Sequence, residues 1–158
     1  MKKIIAVLLL GILTSCTSNS QSKLIENKNY SVTKTETEWK KELTEMEFYV
    51  LRKSGTERAF SSPLDKNFKK GIYVCSACKT ALYSSEYKFD SGTGWPSFDR
   101  AIEQNVAFDD DDNIRYTGTE LKCATCGGHL GHSFDDGPKT TGKRHCINGV
   151  ALQFIPKK

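Results

Sequence analysis

The chain has 158 residues, and its 23 Lys and Arg against 19 Asp and Glu give a formal net charge of +4. This length is enough for one domain with a hydrophobic core. Nothing in the small charge excess indicates the clustered basic face that nucleic-acid binding needs, so we predict no nucleic-acid partner.

The first 15 residues have the features of a secretory signal. Lys2 and Lys3 form a positive start, and residues 4–12 are an apolar run too short for a comfortable transmembrane span. The ending Leu-Thr-Ser-Cys16 resembles a bacterial lipobox, in which the cysteine is lipidated and becomes the new first residue. We therefore expect export to the bacterial cell envelope, with lipid on Cys16 as the only membrane contact. The alternative is ordinary cleavage nearby, with Cys16 unmodified.

Residues 16–35 contain many Ser, Thr, Asn, Gln and Lys and few apolar side chains. Such a segment buries too little apolar surface to fold, which predicts a flexible tether between membrane and domain. The folded domain is then expected over residues 36–158, as a monomer. Loss of Lys2 and Lys3 with the signal would lower its charge from +4 to +2.

Residues 37–51 carry apolar side chains at intervals of three to four, which predicts one helix with a single buried stripe. Core packing accounts for this stripe better than a ligand-binding face does. Thr35 or Thr37 is expected to cap the helix, and Gly55 follows its end. The stripe consists of Trp39, Leu43, Met46, Val50 and Leu51.

From Gly71 onward the chain consists of short segments rich in Tyr, Phe, Val and Ile, separated by Gly, Asn and Asp. Segments that fit strands are residues 72–74, 101–108, 114–121 and 150–154. In the last of them, apolar residues alternate with smaller or polar ones, as one buried sheet face requires. The predicted fold class is therefore mainly β, an α+β domain with antiparallel strands and a helical N-terminal side.

Residues 109–112 are four consecutive Asp, for which two interpretations compete. A calcium-binding loop would take its ligands from Asp109, Asp111, Asn113 and Glu120. However, Ile114 stands where such a loop needs Gly for its sharp turn, and the flanks fit strands rather than helices. A solvated hairpin tip is the better interpretation.

Two C-x-x-C pairs, Cys75/Cys78 and Cys123/Cys126, have the spacing of the two halves of a four-cysteine zinc site. Such a site has no open coordination position, which predicts one structural Zn²⁺ per chain. Structural disulfides and a thioredoxin-type redox pair are rival interpretations. The lack of a βαβ pattern argues against the redox pair.

Cys146 has no other cysteine near it in sequence, and it follows Arg144 and His145, which can lower the pKa of a thiol. This setting favours a reactive nucleophile over a buried, inert cysteine. His129 and His132 follow the second cysteine pair. In an extended strand they would point to opposite faces, so only a bend would bring them together. Each could instead be a structural group, and a catalytic zinc would lack a third ligand of familiar spacing.

Together these motifs resemble the methionine-R-sulfoxide reductases, the MsrB family, over roughly residues 39–156. The resemblance implies two antiparallel sheets, short N-terminal helices and the four-cysteine zinc site. The motifs that carry it are the two C-x-x-C pairs, Gly92-Thr93-Gly94-Trp95-Pro96-Ser97-Phe98, Gly128-His129-Leu130-Gly131-His132, Asp136-Gly137-Pro138 and Arg144-His145-Cys146-Ile147-Asn148.

The resemblance also implies the chemistry. Cys146 would attack the sulfur of an oxidised methionine in a peptide or protein, leaving methionine and a sulfenic acid on Cys146. The residues implied around the sulfoxide oxygen and the thiol are His129, His132 and Asn148. Arg144 and Asp136 would orient and charge-balance the site. Trp95 and Phe134 would form the aromatic wall that receives the methyl group and so selects the R epimer.

The sequence departs from the family pattern at Thr93, where many members carry a resolving cysteine. With Cys16 assigned to lipid and four cysteines to metal, none remains to replace it. The sulfenic acid would then need an external thiol, from a thioredoxin-like protein or a small molecule. His145 stands where Tyr is frequent and Gly149 where Ser is frequent, which are mild changes.

Two other functions fit parts of the sequence. A zinc-stabilised β module could bind a small ligand or peptide in an aromatic cage, which would need Trp95 but not Cys146. A disulfide oxidoreductase would use the C-x-x-C pairs and would show rapid thiol exchange at them.

Overall fold

The computed structural model describes residues 30–109 and 118–158. The predicted signal peptide, Cys16, most of the predicted tether and most of the Asp run lie outside these ranges. Within them, no helix has the length and apolar character needed to cross a membrane. Residues 30–35, expected to belong to the tether, contact the domain. The Val32 N–H donates to the Thr125 carbonyl at 3.0 Å, and the Tyr30 ring lies against Gly127.

Two short α-helices, α1 (Glu36–Glu42) and α2 (Glu45–Lys53), replace the single helix predicted over residues 37–51. Each begins with a Thr-x-x-Glu capping box, at Thr35 and Thr44, in which the Thr and Glu side chains accept each other's backbone N–H. The backbone is already extended at Leu43, which ends α1, and it stays extended at Thr44 (φ −63°, ψ 162°), as a helix cap requires. The single-helix prediction is wrong because a second capping box lies inside the apolar stripe.

Within residues 30–109 and 118–158, all strand pairs are antiparallel, and they form two sheets. This architecture confirms the predicted fold class. The three-stranded sheet has the order β2 (Ala81–Ser84), β1 (Gly71–Cys75), β9 (Leu152–Pro156). The six-stranded sheet has the order β3 (Lys88–Phe89), β4 (Ser97–Phe98), β8 (Arg144–Ile147), β7 (His129–Phe134), β6 (Thr119–Cys123), β5 (Val106–Asp109). Short 3₁₀ turns occupy Ser85–Tyr87 and Gly149–Ala151.

The strand predicted at 72–74 is confirmed as β1, while those predicted at 101–108 and 150–154 begin later than predicted. Turns occupy residues 103–104, so β5 begins only at Val106. Of residues 114–121, those described from Thr119 onward belong to β6. A 3₁₀ turn precedes β9, which begins at Leu152 and then alternates between a buried and an exposed face.

Aromatic rings join the two sheets in the core. Tyr83 on β2 stacks on Phe98 on β4 with 4.3 Å between ring centroids, and Tyr73 on β1 meets the same ring edge-on at 5.0 Å. Each fully buried ring of this kind contributes on the order of 1.5–3 kcal/mol. Because β4 pairs with β8, the cluster fixes the strand that carries Cys146.

The predicted apolar stripe is buried except at one position. Trp39, Leu43, Val50 and Leu51 belong to the core, and α2 packs against β7. Met46 is 49% exposed, so its assignment to the core is wrong. The new helix start at Thr44 resets the helical phase, which turns Met46 away from the core.

Candidate active site

Cys146 lies on β8, inside the six-stranded sheet, and lines a cavity of about 160 Å³. Its side chain is half-buried and opens into this cavity, which argues against the inert core cysteine. Two lining residues, Thr56 and Gly131, were not among the predicted site residues. The cavity is lined by Thr56, Trp95, Gly131, His132, Phe134, Cys146 and Asn148.

Strand pairing places the polar residues of the site on one face of the sheet. Cys146 on β8 lies opposite His132 on β7, which lies opposite Glu120 on β6. Directly opposed residues of antiparallel strands point to the same face, so these three side chains form a row across three strands. Arg144 shares this face because it lies two residues before Cys146 in the same strand.

His129 joins the row because β7 contains a β-bulge. Leu130 is an extra residue that has no partner of its own on β6. Residues three apart in a regular strand point to opposite faces, but the extra residue puts His129 and His132 on the same face. Their rings meet edge to face with 5.3 Å between centroids. The bend that these histidines require is therefore present. The following Gly131 leaves room for it, since a Cβ there would lie 2.0 Å from the Cys146 carbonyl oxygen.

Glu120 fixes the ring of His129. Its Oε1 lies 2.6 Å from Nδ1 of His129, and Lys122 contacts Oε2 at 3.1 Å. Burial raises the pKa of Glu120, but the hydrogen bonds from His129 and Lys122 lower it by a larger amount. The net pKa is therefore below the usual range of a glutamate. Because an ionised carboxylate only accepts, Nδ1 of His129 carries a proton. Among the described residues nothing hydrogen-bonds to the buried Nε2 of His129, and His129 itself does not line the cavity.

Burial controls the protonation of both Cys146 and His132. It raises the pKa of the Cys146 thiol, and the opposing charge of Arg144 and the hydrogen bond of Thr93 offset this only in part. The thiol therefore keeps its proton at neutral pH. Burial, aided by the nearby His129, also lowers the pKa of His132, which leaves that imidazole uncharged.

His145 does not lower the pKa of Cys146, which corrects the expectation from its adjacent position. Neighbours in a strand point to opposite faces, and His145 lies on the core face with Nδ1 3.3 Å from the Tyr83 hydroxyl. Burial lowers the pKa of His145 to about 4, so the ring carries no charge near pH 7. Of the two residues before Cys146, Arg144 alone places a positive charge near the thiol.

The expected ion pair between Arg144 and Asp136 is present behind the cavity. Nε and Nη2 of Arg144 donate to the two carboxylate oxygens at 2.8 and 2.9 Å, and the guanidinium lies 4.4 Å from the centre of the Phe134 ring. The hydrogen bond from Arg144 lowers the pKa of Asp136. Because the Asp136 side chain is 62% exposed, the pair orients Arg144 more than it stabilises the fold.

Trp95 and Asn148 are held by the same residue, Glu57, which the sequence analysis missed. The Trp95 Nε1–H donates to the Glu57 carbonyl at 3.2 Å, and Asn148 Oδ1 accepts from the Glu57 N–H at 2.9 Å. Asn148 also donates through Nδ2 to the Leu130 carbonyl at 3.1 Å. The segments that contain Glu57, Trp95 and Asn148 are distant in sequence but meet at the cavity. No local sequence pattern predicts this contact.

The four cysteines of the two C-x-x-C pairs form a separate cluster. Their Sγ atoms all lie within 4.8 Å of one another, with Cys75 and Cys126 at 3.8 Å and Cys78 and Cys123 at 3.5 Å. These separations exceed a disulfide bond of about 2.05 Å. They match a tetrahedral zinc site, where a Zn–S bond of about 2.3 Å separates sulfurs by roughly 3.8 Å. The donor set therefore fits Zn²⁺ and joins β1 of one sheet to β6 of the other.

Arg52 of α2 contacts this cysteine cluster and was also missed in the sequence. Its Nη1 donates to the Cys126 carbonyl at 2.8 Å and its Nη2 to the Cys126 Sγ at 3.3 Å. The hydrogen bond from the neighbouring Cys123 thiol lowers the pKa of Cys126, which favours a thiolate there. A guanidinium beside it offsets part of the negative charge that four thiolates would bring.

Comparison with known proteins agrees with this arrangement. The SelR domain family model matches residues 43–156. The peptide methionine sulfoxide reductase MsrB of Leptospira interrogans is 49% identical over 127 residues, 80% of this chain and 97% of the relative. Its counterpart in Methanosarcina barkeri is 51% identical over 125 residues, 78% of this chain and 88% of the relative. Mouse mitochondrial methionine-R-sulfoxide reductase B3 is 44% identical over 132 residues, 83% and 52% of the two chains. The chain therefore carries a SelR domain and belongs to the MsrB family of peptide methionine sulfoxide reductases.

Proposed function

We propose that this protein reduces methionine-R-sulfoxide in peptides and proteins to methionine, with Cys146 as the nucleophile. The observation that carries the proposal is a thiol, an indole, an imidazole and a carboxamide around one cavity of about 160 Å³ in a chain of this family. In the reaction, the Cys146 sulfur bonds to the sulfoxide sulfur while the S–O bond breaks and the oxygen leaves as water. A water molecule then attacks the Cys146 sulfur and breaks the bond between the two sulfurs, which releases methionine. The substrate sulfur gains two electrons, and Cys146 loses two and ends as a sulfenic acid.

The sulfoxide oxygen must be protonated as its bond to sulfur breaks, because it is otherwise a poor leaving group. The Cys146 thiol supplies one proton, since burial keeps it protonated at neutral pH. His132 lies opposite Cys146 and is uncharged, so its imidazole can accept a proton from one group and return it to another. We give His129 a supporting role, in which its ring, held by Glu120, packs edge to face against His132 and limits how that ring turns.

The two ends of the cavity differ in chemistry, and this difference accounts for selection between sulfoxide epimers. Trp95 and Phe134 offer apolar rings for the methyl group, while His132 and Asn148 offer polar groups for the oxygen. With the methyl group against Trp95 and the oxygen toward His132, only one configuration at sulfur presents its attackable side to Cys146. We assign this configuration to the R epimer by family membership.

An activity assay tests the function directly, with each epimer of a methionine-sulfoxide peptide as substrate and dithiothreitol as reductant. We expect turnover of the R epimer, with the S epimer slower by about 100-fold or more because it places a polar oxygen against the indole. Methionine formation is measured by chromatography. Turnover of the S epimer alone would contradict the proposal, and peptide binding without any turnover would select the aromatic-cage module instead.

The regeneration of Cys146 is proposed to use an external thiol. Thr93 stands at the position of the family's resolving cysteine. Its hydroxyl is hydrogen-bonded to the Ser91 hydroxyl, with 2.8 Å between the two oxygens, and it cannot form a disulfide. Four of the other cysteines are proposed to hold one structural zinc, and Cys16 is proposed to carry lipid. A thiol of a thioredoxin-like protein or a small molecule would then attack the sulfenic acid and release water, forming a mixed disulfide with Cys146. A second thiol of the reductant would displace Cys146 as a free thiol and leave the reductant as a disulfide.

The proposed cellular setting is the bacterial envelope, with the protein exported by its N-terminal signal and anchored through Cys16. It rests on the residues that precede the domain: two lysines, an apolar run and the lipobox-like ending. Lipidation could be detected by mass spectrometry of the protein purified from membranes. An unmodified Cys16 in the mature protein would contradict the anchor.

Replacing Glu120 with Gln is expected to slow methionine formation roughly tenfold or more, because it removes the charge that holds the proton on His129 Nδ1. The rate is best measured as a single turnover without reductant, so that regeneration of Cys146 does not contribute. Glu86→Gln, which makes the same change at an exposed side chain, is the matched control. A wild-type single-turnover rate in Glu120→Gln would show that the carboxylate has no part in the reaction.

A further inference from the structure

We propose that Glu57 is a positioning residue for sulfoxide reduction. It sets the distance between the apolar end of the cavity at Trp95 and the polar end at Asn148. This inference rests on the proposed function, because it assigns a role in that reaction. Glu57 lies in the segment between α2 and β1, away from all the motifs that mark the site in the sequence.

The backbone of Glu57 touches both ends of the cavity. Its N–H donates to Oδ1 of Asn148 at 2.9 Å, and its carbonyl accepts from Nε1 of Trp95 at 3.2 Å. Asn148 belongs to the polar end of the cavity and Trp95 to its apolar end. One residue therefore spans them, and a shift of its backbone would move the two walls together.

The side chain of Glu57 fixes that backbone. It is only 6% exposed, and its two carboxylate oxygens accept from the backbone N–H groups of Gly149 and Val150. These groups begin the 3₁₀ turn that directly follows Asn148. A buried carboxylate is costly unless its oxygens are hydrogen-bonded, so both contacts are needed for this side chain to stay in place.

The fit at Gly149 shows how closely the carboxylate is held. A Cβ at that position would lie 2.0 Å from Oγ of Ser62 and 3.2 Å from Oε1 of Glu57. Glycine at 149 therefore lets the turn approach the carboxylate closely. The glycine here leaves this space to Ser62 and Glu57.

This arrangement matters because the reaction needs the methyl group, the oxygen and the sulfur placed at the same time. A misplacement of about 1 Å in an active site can cost on the order of 100-fold in rate. Removing the Glu57 carboxylate would free the backbone that orients Trp95 and Asn148, while leaving every side chain that lines the cavity intact. The expected effect is therefore on rate and indole geometry together.

The test compares Glu57→Ala and Glu57→Gln with the wild-type protein, using the single-turnover rate with the R epimer and the indole N–H signals in a ¹H–¹⁵N NMR spectrum. The chain has two Trp, so Trp39 in the core serves as the internal reference for Trp95. We expect Glu57→Ala to lower the rate about tenfold or more and to shift the Trp95 signal alone. Glu57→Gln keeps one acceptor oxygen, so its single-turnover rate and its Trp95 signal should both lie between those of Glu57→Ala and the wild-type protein.

Glu103→Ala, at an exposed position in a turn, is the control for loss of a carboxylate and should change neither readout. A wild-type rate in Glu57→Ala would overturn the proposal, as would a lower rate with an unmoved Trp95 signal or with both indole signals changed alike. If Glu57→Ala does not fold, the same readouts in Glu57→Gln decide the question. Failure of the wild-type protein to reduce the R epimer would instead count against the proposed function.

Discussion

Replacing Cys146 with Ser is expected to lower the rate of methionine formation by about 1,000-fold or more while leaving the fold intact. A hydroxyl is far less nucleophilic than a thiol, and no other described cysteine lines the cavity. The half-buried side chain loses little on this near-isosteric change, so the free energy of unfolding should shift by less than about 1 kcal/mol. Single-turnover assays with the R epimer and a thermal melt measure the two effects.

Mass spectrometry of the wild-type protein after one turnover supplies the positive control for this variant. It should show one added oxygen atom on the peptide that contains Cys146, rather than the loss of two hydrogens that a disulfide would produce. Reduction of the R epimer by Cys146→Ser at more than a few per cent of the wild-type rate would remove Cys146 from the reaction. A disulfide between Cys146 and another cysteine would contradict the proposed external thiol.

Replacing Cys123 with Ser is expected to abolish zinc binding and prevent stable folding. Cys123 is fully buried, and its Sγ lies 3.5 Å from that of Cys78 in the other half of the cluster. Structural zinc contributes about 10 kcal/mol or more in small metal domains, whereas a whole domain is stable by only about 5–15 kcal/mol. The loss of one ligand therefore removes most or all of the net stability.

Zinc content by elemental analysis and the melting temperature by circular dichroism measure this effect. Cys146→Ser is the matched control, because it makes the same substitution outside the cluster and should retain one zinc per chain. An unchanged melting temperature in Cys123→Ser would contradict a structural metal. Rapid thiol exchange at these cysteines in the wild-type protein would favour the disulfide oxidoreductase instead.

The parts of the site that the sequence predicts well are those encoded by short spacings. Two C-x-x-C pairs specify a four-sulfur cluster wherever the chain brings them together, and Cys146 was distinguished by having no cysteine nearby. Glu57, Arg52 and Glu120 were missed as site residues because their roles depend on contacts with distant segments. The sequence offers Glu120 only as a calcium ligand, whereas its carboxylate binds the imidazole of His129 on the neighbouring strand.

Two errors in the sequence analysis have local causes. The break between α1 and α2 is encoded by a second Thr-x-x-Glu sequence, but the regular apolar spacing across it concealed the cap. His145 and Arg144 both precede Cys146, which suggests that both affect the pKa of its thiol. In a strand, however, adjacent side chains lie on opposite faces, and only the residue two positions away shares the face of the thiol.

Because β7 contains one extra residue, the number of residues between His129 and His132 decides whether both imidazoles lie on the same face of the sheet. Leu130 contributes no reacting group, yet its carbonyl accepts hydrogen bonds from both the backbone and the side chain of Asn148. Shortening the chain there by one amino acid would swing one imidazole through to the far side of the sheet, with every polar side chain still encoded. In this part of the gene, insertions and deletions would therefore be tolerated less well than substitutions.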